Sequence, residues 1–439
     1  MIPELRTQFN QRFRPSQYES LLALLESRCG TPINFRIAET PIFVPLALLQ
    51  DLAASGAEMA RALIADTIYL NAARNAIPKG YCVPRQTPHP NFLTADFALI
   101  REENPQGDES APGGLAPRLV EIQAFPSVFG YQQVLDSAYR EAFALPDSLG
   151  AFLGSLDEPG YWELLRATIL GSHAPENVVL TELDPMNQKT LPDFLVTARR
   201  LGIKVVDIRS LKADHSRLYY QGDAGRWIPI HRIYNRAIAD ELIARNIRLP
   251  FALDGDWDVE WASHPNWYFL ISKFSIPRLF GEPGRVPPAR RFPVVPPGVF
   301  LSDFLDGDGR DRLLAAGVPL PSPAGPDTVY AELLLKPLFS FAGKGIQFEP
   351  SQAQLEAIPQ SRRGDYLVQQ RMRFEPTIVT PHGLTQAEIR ILYIWPDGGE
   401  LTPALSLVRL GRGKMMGVDH NKNQQWVGAS GAFYPTGPW

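Results

Sequence analysis

The sequence predicts a mixed α and β protein of two or three lobes, and three observations carry that reading. Leu22, Leu25, Leu49, Leu52, Met59, Leu63 and Ile64 recur at three- and four-residue spacing over residues 16–28 and 46–77, the period of amphipathic helices. Residues 177–207 read as strand, helix and strand, which is the spacing of a parallel pair joined by a helical crossover. From Val329 onward the pattern is mostly strands, over 329–336, 345–349, 365–371, 387–395 and 403–410.

Composition narrows the class. The chain has 439 residues, 45% of them apolar and 21% charged, as an ordinary globular protein does. A net charge of -4 gives no general attraction to nucleic acid or anionic lipid, so any anion site must be local. Cys29 and Cys82 are too few for a zinc cluster or a disulfide framework. The first residues lack a basic-then-apolar leader and no run approaches 18 apolar residues, so the expectation is a cytoplasmic protein without membrane or nucleic-acid partners. Oligomeric state is not legible.

Along the chain, the helical N-terminal region gives way to two strands, Phe92 to Ile100 and Arg118 to Gln123. The Gly-, Pro-, Asp- and Ser-rich residues from Asn104 to Pro117 suit an exposed hairpin loop between them. Strands Asn177 to Thr181, Lys204 to Ile208 and Trp227 to Asn235, with helices Leu191 to Leu201 and Ala237 to Arg245, make a small open α/β lobe over 173–262. A proline-dense connector follows from residue 281, and a second break at Pro321 to Pro326 precedes the C-terminal strands. The expected division is 1–172, 173–262 and 263–439.

Two stretches carry candidate chemistry. In the first, an apolar strand delivers Lys336-Pro337, and Gly343 and Gly345 flank Lys344 in a turn before a second strand. Glycines let backbone N–H groups approach an anion and a lysine adds a point charge, which suits a polyphosphate. A plain hairpin with a surface lysine fits the same residues. A Walker loop does not, because Leu338 stands where its first glycine should be, and a dinucleotide fingerprint at Gly411-Arg412-Gly413 fails because Gly417 falls one residue late. In the second stretch, Glu121 and Gln123 alternate onto one face of a strand, with Asp96 able to face them across the hairpin. Hard oxygen ligands of this kind suit Mg2+. The wet face of an edge strand is the competing reading.

Thr94-Ala-Asp96-Phe97, Glu121-Ile-Gln123 and Pro126-Ser127-Val-Phe129-Gly130 together resemble the ATP-grasp superfamily, in the circularly permuted branch of eukaryotic-type glutathione synthetase. Further resemblances follow in the order such a chain requires: Ser272-Lys273-Phe274, Lys336-Pro337 with its glycine turn, the hinge Tyr366 to Met372, Glu388-Ile-Arg390, Leu407-Val-Arg409, and a closing Gly-Ala-rich loop with Asn421, Asn423 and Gly428 to Gly431. An unpermuted member would carry the Asp96 and Glu121 strands after the hinge. Arg232 to Arg236 resembles the Tyr-x-Arg segment that ends the preceding lobe in these relatives.

The resemblance implies an α+β and α/β fold: a circularly permuted ATP-grasp domain of antiparallel sheets with helices, plus a small Rossmann-like pre-ATP-grasp lobe. It implies ATP and Mg2+ as cofactors and small-molecule carboxylate and amine substrates, ligated through an acyl phosphate. By the same resemblance, Lys273, Lys336, Gly343, Lys344, Gly345, Gln369 and Met372 would bind ATP, and Asp96, Glu121 and Gln123 would bind the metal. Arg390 and Arg409 would face the reacting phosphoryl and carboxylate groups, and Ser127 and Arg236 would meet the substrate. Three positions depart from the family: Gln123 replaces Asn, Thr94 replaces Arg, and Ser340 replaces a metal-binding Glu. A phosphotransferase acting on a hydroxyl and a non-catalytic nucleotide-binding module are the alternatives.

Overall fold

A computed structural model describes residues 1–101, 114–281, 292–322, 325–339, 343, 345–417 and 423–437. Residues 104–113 of the loop expected over Asn104 to Pro117, most of the proline-dense connector, Ser340, Lys344 and Asn421 lie outside the described residues, whereas 115–117 already belong to the Leu115–Gln123 strand.

The largest sheet has the spatial order Ile42–Phe43, Gly428–Pro435, Thr402–Gly411, Gly383–Ile394, Phe92–Arg101, Leu115–Gln123. Its four long central pairings are antiparallel, and the short Ile42–Phe43 strand adds in parallel at the edge. Side-chain alternation gives the two faces different characters. Ala95, Phe97, Leu99, Ile389, Ile391, Tyr393, Val408 and Leu410 form one buried core with the Leu46–Ala65 helix. Helix and sheet come close enough that a side chain at Gly56 would collide with the ring of Tyr393, whose hydroxyl donates to the Ala53 carbonyl at 2.9 Å. The opposite face is divided. At one end Phe92, Leu392, Ile394, Leu405 and Leu407 pack against Phe129, Tyr161, Phe194 and Tyr234. At the other end the same alternation presents Asp96, Glu388, Arg390 and Arg409.

The expected β-α-β unit is present, with the Leu191–Leu201 helix between two parallel strands, Val178–Glu182 and Lys204–Asp207. These belong to a four-stranded parallel sheet with Arg232–Asn235 and Glu260–Ala262. The stretch expected as one strand from Trp227 to Asn235 is two. Trp227–Pro229 joins a separate antiparallel sheet with Lys212–Asp214 and Arg217–Gln221, while Arg232–Asn235 enters the parallel one. Buried Arg232 binds this lobe to the main sheet: its guanidinium donates to the Thr168 and Ile169 carbonyls, each at 3.1 Å, to Glu260 at 2.6 Å and to Asp397 at 2.7 Å.

A third sheet orders Gly298–Phe300, Tyr366–Gln370, Leu333–Pro337 and Gln347–Phe348, all antiparallel. One face, with Val299, Leu333, Leu335 and Val368, packs beside Leu301, Phe304 and Leu313 from the Leu301–Asp306 and Asp308–Ala315 helices.

Residues 428–431, expected as a loop, form the start of the Gly428–Pro435 strand. Their glycines reflect close packing. A Cβ at Gly431 would lie 2.0 Å from Oδ1 of Asp136 on the Phe129–Ala142 helix, and one at Gly428, whose φ is +122°, would lie 2.4 Å from the Arg36 carbonyl. That helix, too, is invisible as a 3.6-residue stripe, because Phe129 through Asp136 are all buried.

Candidate functional site

Register brings the first set of charged residues together. Asp96 stands opposite Glu121 on one neighbouring strand and opposite Arg390 on the other, and Glu388 stands opposite Arg409. Cross-strand neighbours on one face are near enough for their side chains to bond. Arg390 grips Asp96 through two bonds, Nε to Oδ1 at 2.6 Å and Nη2 to Oδ2 at 2.7 Å. Arg409 adds a bond to Asp96 Oδ2 at 3.0 Å and pairs with Glu388. Burial alone would raise the Asp96 carboxyl, but the two guanidiniums hold it below its usual range. Burial raises Glu388, with Arg409 opposing and the charge of Asp96 adding to the rise.

The third sheet supplies the facing wall. Lys336 pairs with Leu367 and Leu334 pairs with Gln369, so Lys336 and Gln369 project from one face. Lys336 is 6% exposed and reaches across to the Val120 carbonyl at 3.4 Å, beside Glu121. Burial lowers its pKa to about 8; Glu121 and Glu388 resist that fall, and Lys273 adds to it. Lys273, in the short 3-10 turn Lys273–Ser275, reaches the Pro337 carbonyl at 3.4 Å. Two lysines and two carboxylates, from four segments between residues 121 and 388, therefore meet in one junction. The strands around the glycine turn do pair as a hairpin, but Lys336 is buried rather than on the surface.

Gln369 is fully buried and neither atom of its amide has a hydrogen-bond partner among the described residues. An orphaned amide of this kind is costly unless a ligand completes it. Met372 lies half-buried two residues past the Gln369 strand. Gly343 and Gly345 turn with φ of +71° and +80°, and a Cβ at Gly343 would meet the Met415 methyl.

The metal candidates divide. Glu121 and Gln123 lie half-buried on the Leu115–Gln123 strand, whereas both oxygens of Asp96 are already held by arginines. Among the described residues no group of three or more His, Cys, Asp or Glu is arranged to hold a metal ion.

Ser127 lies just before the Phe129–Ala142 helix, and Arg236 just after the Arg232–Asn235 strand of the parallel lobe. Arg236 lies over the rings of Phe125 and Phe194 at 5.1 and 5.2 Å, 3.9 Å from Asp193, with Nε and Nη1 unpaired. Asp193 accepts the Tyr131 backbone N–H at 3.0 Å, near the start of the Phe129–Ala142 helix, just after half-buried Ser127. Burial raises both Asp193 and Glu182, Glu182 to about 8, against the pull of Arg236. Sequence reading missed Glu182, Asp193, Asp240 and Tyr268. They converge only through tertiary contacts and form no short motif.

The fold places the chain in a class, a mixed α and β architecture of the kind found in glutathione synthetase-like proteins. Among solved structures it is similar to a glutathione synthetase-like effector from Globodera pallida, at 12% identity and a TM-score of 0.52 over 96% of both chains. A candidate gamma-glutamylcysteine synthetase from Methylobacillus flagellatus aligns at 12% identity and a TM-score of 0.34 over 85% of both chains, too distant to carry weight. No family model matches the sequence. No curated protein matches it either.

Proposed function

We propose that this chain is an ATP- and Mg2+-dependent carboxylate–amine ligase on a circularly permuted ATP-grasp fold, forming an amide or peptide bond through an acyl phosphate. The observation that carries the reading is Lys336 reaching the carbonyl beside Glu121, which closes a cationic and anionic junction between two sheets. Lys273 and Lys336 would neutralise the polyphosphate, the Gly343–Gly345 turn with Lys344 would cover it, and the Gln369 amide, with Met372 beside it, would receive the base. Glu121 and Gln123 fit an Mg2+ that also takes phosphate oxygens, and the ion would offset the charge gathering on the transferred group. Asp96 joins that set only by surrendering a guanidinium, so its role here is to orient Arg390 and Arg409. Those arginines would grip the substrate carboxylate and the phosphoryl group as planar forks. Ser127 and Arg236 would meet the non-reacting part of the substrate.

The likeness to a glutathione synthetase-like effector supports the fold. The three-part division at 172 and 262, with a Rossmann-like pre-ATP-grasp lobe in the middle, belongs to the same proposal. Among the described residues no helix is long and apolar enough to cross a membrane.

A phosphate-release screen with Mg-ATP against pooled amino acids, peptides and polyamines tests the reaction, and the expected result is release that depends on two co-substrates. ADP without amide would point to a phosphotransferase. Absence of Mg-ATP binding by calorimetry, or a Lys336→Ala variant of unchanged affinity, would rule out both enzymes. The sequestered Asp96 carboxylate favours a second reading, a nucleotide-binding module without turnover, which predicts ATP binding in that calorimetry and no phosphate release.

A further inference from the structure

Beyond the nucleotide junction, one carboxylate has no part in the roles above. Asp240 is half-buried in the first turn of the short Ala239–Ala244 helix, and its Oδ2 accepts the phenol of Tyr268 at 2.7 Å. Tyr268 in turn packs edge-on against Phe125, ring centres 5.8 Å apart, four residues beyond Glu121 on the same segment. Ala124, next to Phe125, donates its backbone N–H to the Ile271 carbonyl at 3.0 Å, two residues from Lys273. Asp240 is thus tied by a chain of direct contacts to the segments that carry Glu121 and Lys273. The charges register the closeness too: burial raises Asp240, while the Tyr268 bond and the Lys273 ammonium oppose the rise. Tyr268 is raised by burial, by Asp240 and by Glu121.

On the other side, the chain neighbours Ala239 and Phe269 line a recess of about 20 Å³, room for a water rather than for an apolar substituent.

We propose that Asp240, oriented by Tyr268, receives the acceptor amine of the ligation and takes a proton from its ammonium. This rests on the ligase reading. The amine nitrogen bonds to the acyl carbon as the carbon–oxygen bond to phosphate breaks. The incoming ammonium first gives one proton to the Asp240 carboxylate, and inorganic phosphate leaves with the second, lost from nitrogen as the amide forms. Tyr268 acts on the orientation of Asp240 and does not itself touch the reacting atoms.

The test supplies Mg-ATP and a pool of amino acids and dicarboxylic acids, with either L-leucinamide or hydroxylamine as added nucleophile. Leucinamide carries an ammonium that must lose a proton, whereas hydroxylamine is uncharged at neutral pH and attacks without that help. Expected are hydroxamate and a leucinamide adduct from the wild type. Asp240→Asn should retain hydroxamate within about threefold and lose the adduct by about a hundredfold, the scale of general-base catalysis. Asp240→Glu should recover part of the adduct, and Tyr268→Phe should lose about tenfold, with melting temperatures unchanged. Asp240→Asn forming both products at wild-type rates, or losing both equally, overturns the assignment and leaves the ligase reading standing. Hydroxamate without any leucinamide adduct from the wild type overturns the assignment, since no ammonium is then received at Asp240. Neither product from the wild type removes the ligase reading itself, and the assignment with it.

Discussion

Two buried charge clusters built from the same residue types behave in opposite ways. Around Asp96, two guanidiniums supply three hydrogen bonds of 2.6 to 3.0 Å, and the carboxyl is held low in spite of burial. Around Arg236, the nearest carboxylate oxygen stands 3.9 Å away, two guanidinium nitrogens are unpaired, and both Asp193 and Glu182 are driven upward. The difference is geometric. Adjacent antiparallel strands bring side chains into register for direct bonding, whereas the Arg236 cluster joins a strand end to a helix start and leaves its arginine stacked on aromatic rings. A saturated carboxylate such as Asp96 serves to hold its arginines in place. A cluster with spare donors can still take a ligand.

Removing Arg390 should test that contrast most severely. Arg390→Met strands Asp96 as a buried, less compensated charge and should cost about 3 to 5 kcal/mol in urea denaturation. A cost near zero would mean that the Asp96 cluster is not the tighter of the two. Lys336→Met should lower Mg-ATP-dependent phosphate release by about a hundredfold, equivalent to about 2.7 kcal/mol at the transition state, without loss of fold. Stability follows from the sign of its shift. The folded Lys336 releases its proton at about 8, below its ordinary value of 10.5, so the unfolded chain binds more protons between those values. The wild type should therefore gain stability relative to Lys336→Met as pH rises through that window, and ATP should bind less tightly over the same range. Constant relative stability would sink the claim that Lys336 is buried and charged.

Smaller effects are expected at the looser cluster. Arg236→Met should cost about 1 kcal/mol, because Asp193 keeps its backbone donor, while weakening substrate binding more than folding. A loss equal to that of Arg390→Met would erase the distinction between the clusters. The gentlest probe is Glu182→Gln. Glu182 keeps its proton in the folded chain up to about 8, against an ordinary value of 4.5, so the folded state binds more protons between those limits and stability from this group falls as pH rises. The glutamine variant should match the wild type near pH 5 and exceed it by pH 8, as read by thermal melts across that range.

Alternation and crossover spacing made much of this fold legible. The Phe92, Arg118 and Glu388 strands and the 178–207 unit could be read because their apolar residues follow one period and face one core. The Phe129–Ala142 helix could not, because it is buried around most of its circumference and shows no polar stripe. Gly428 to Gly431 imitates a loop because tight packing and flexibility favour the same residue. In the candidate site, Lys336 was visible as a strand residue before glycines, and Lys273, Arg390 and Arg409 only through the family resemblance. Their partners were not: that Arg390 would saturate Asp96, or that Tyr268 would find Asp240, depends on register and on contacts between distant segments.

Arg232 fixes which way the cleft can move. Three of its four donated bonds join the parallel lobe to the turn after the Gly383–Ile394 strand and to the end of the Glu158–Leu170 helix, while the fourth stays inside the lobe at Glu260. Swinging that lobe outward would strip a buried cation of three partners at once. Were a nucleotide admitted as proposed, the opposite wall would have to give, where Lys336 donates to the Val120 carbonyl and Lys273 to the Pro337 carbonyl, each at 3.4 Å. The molecule is riveted on one side of its cleft and latched on the other.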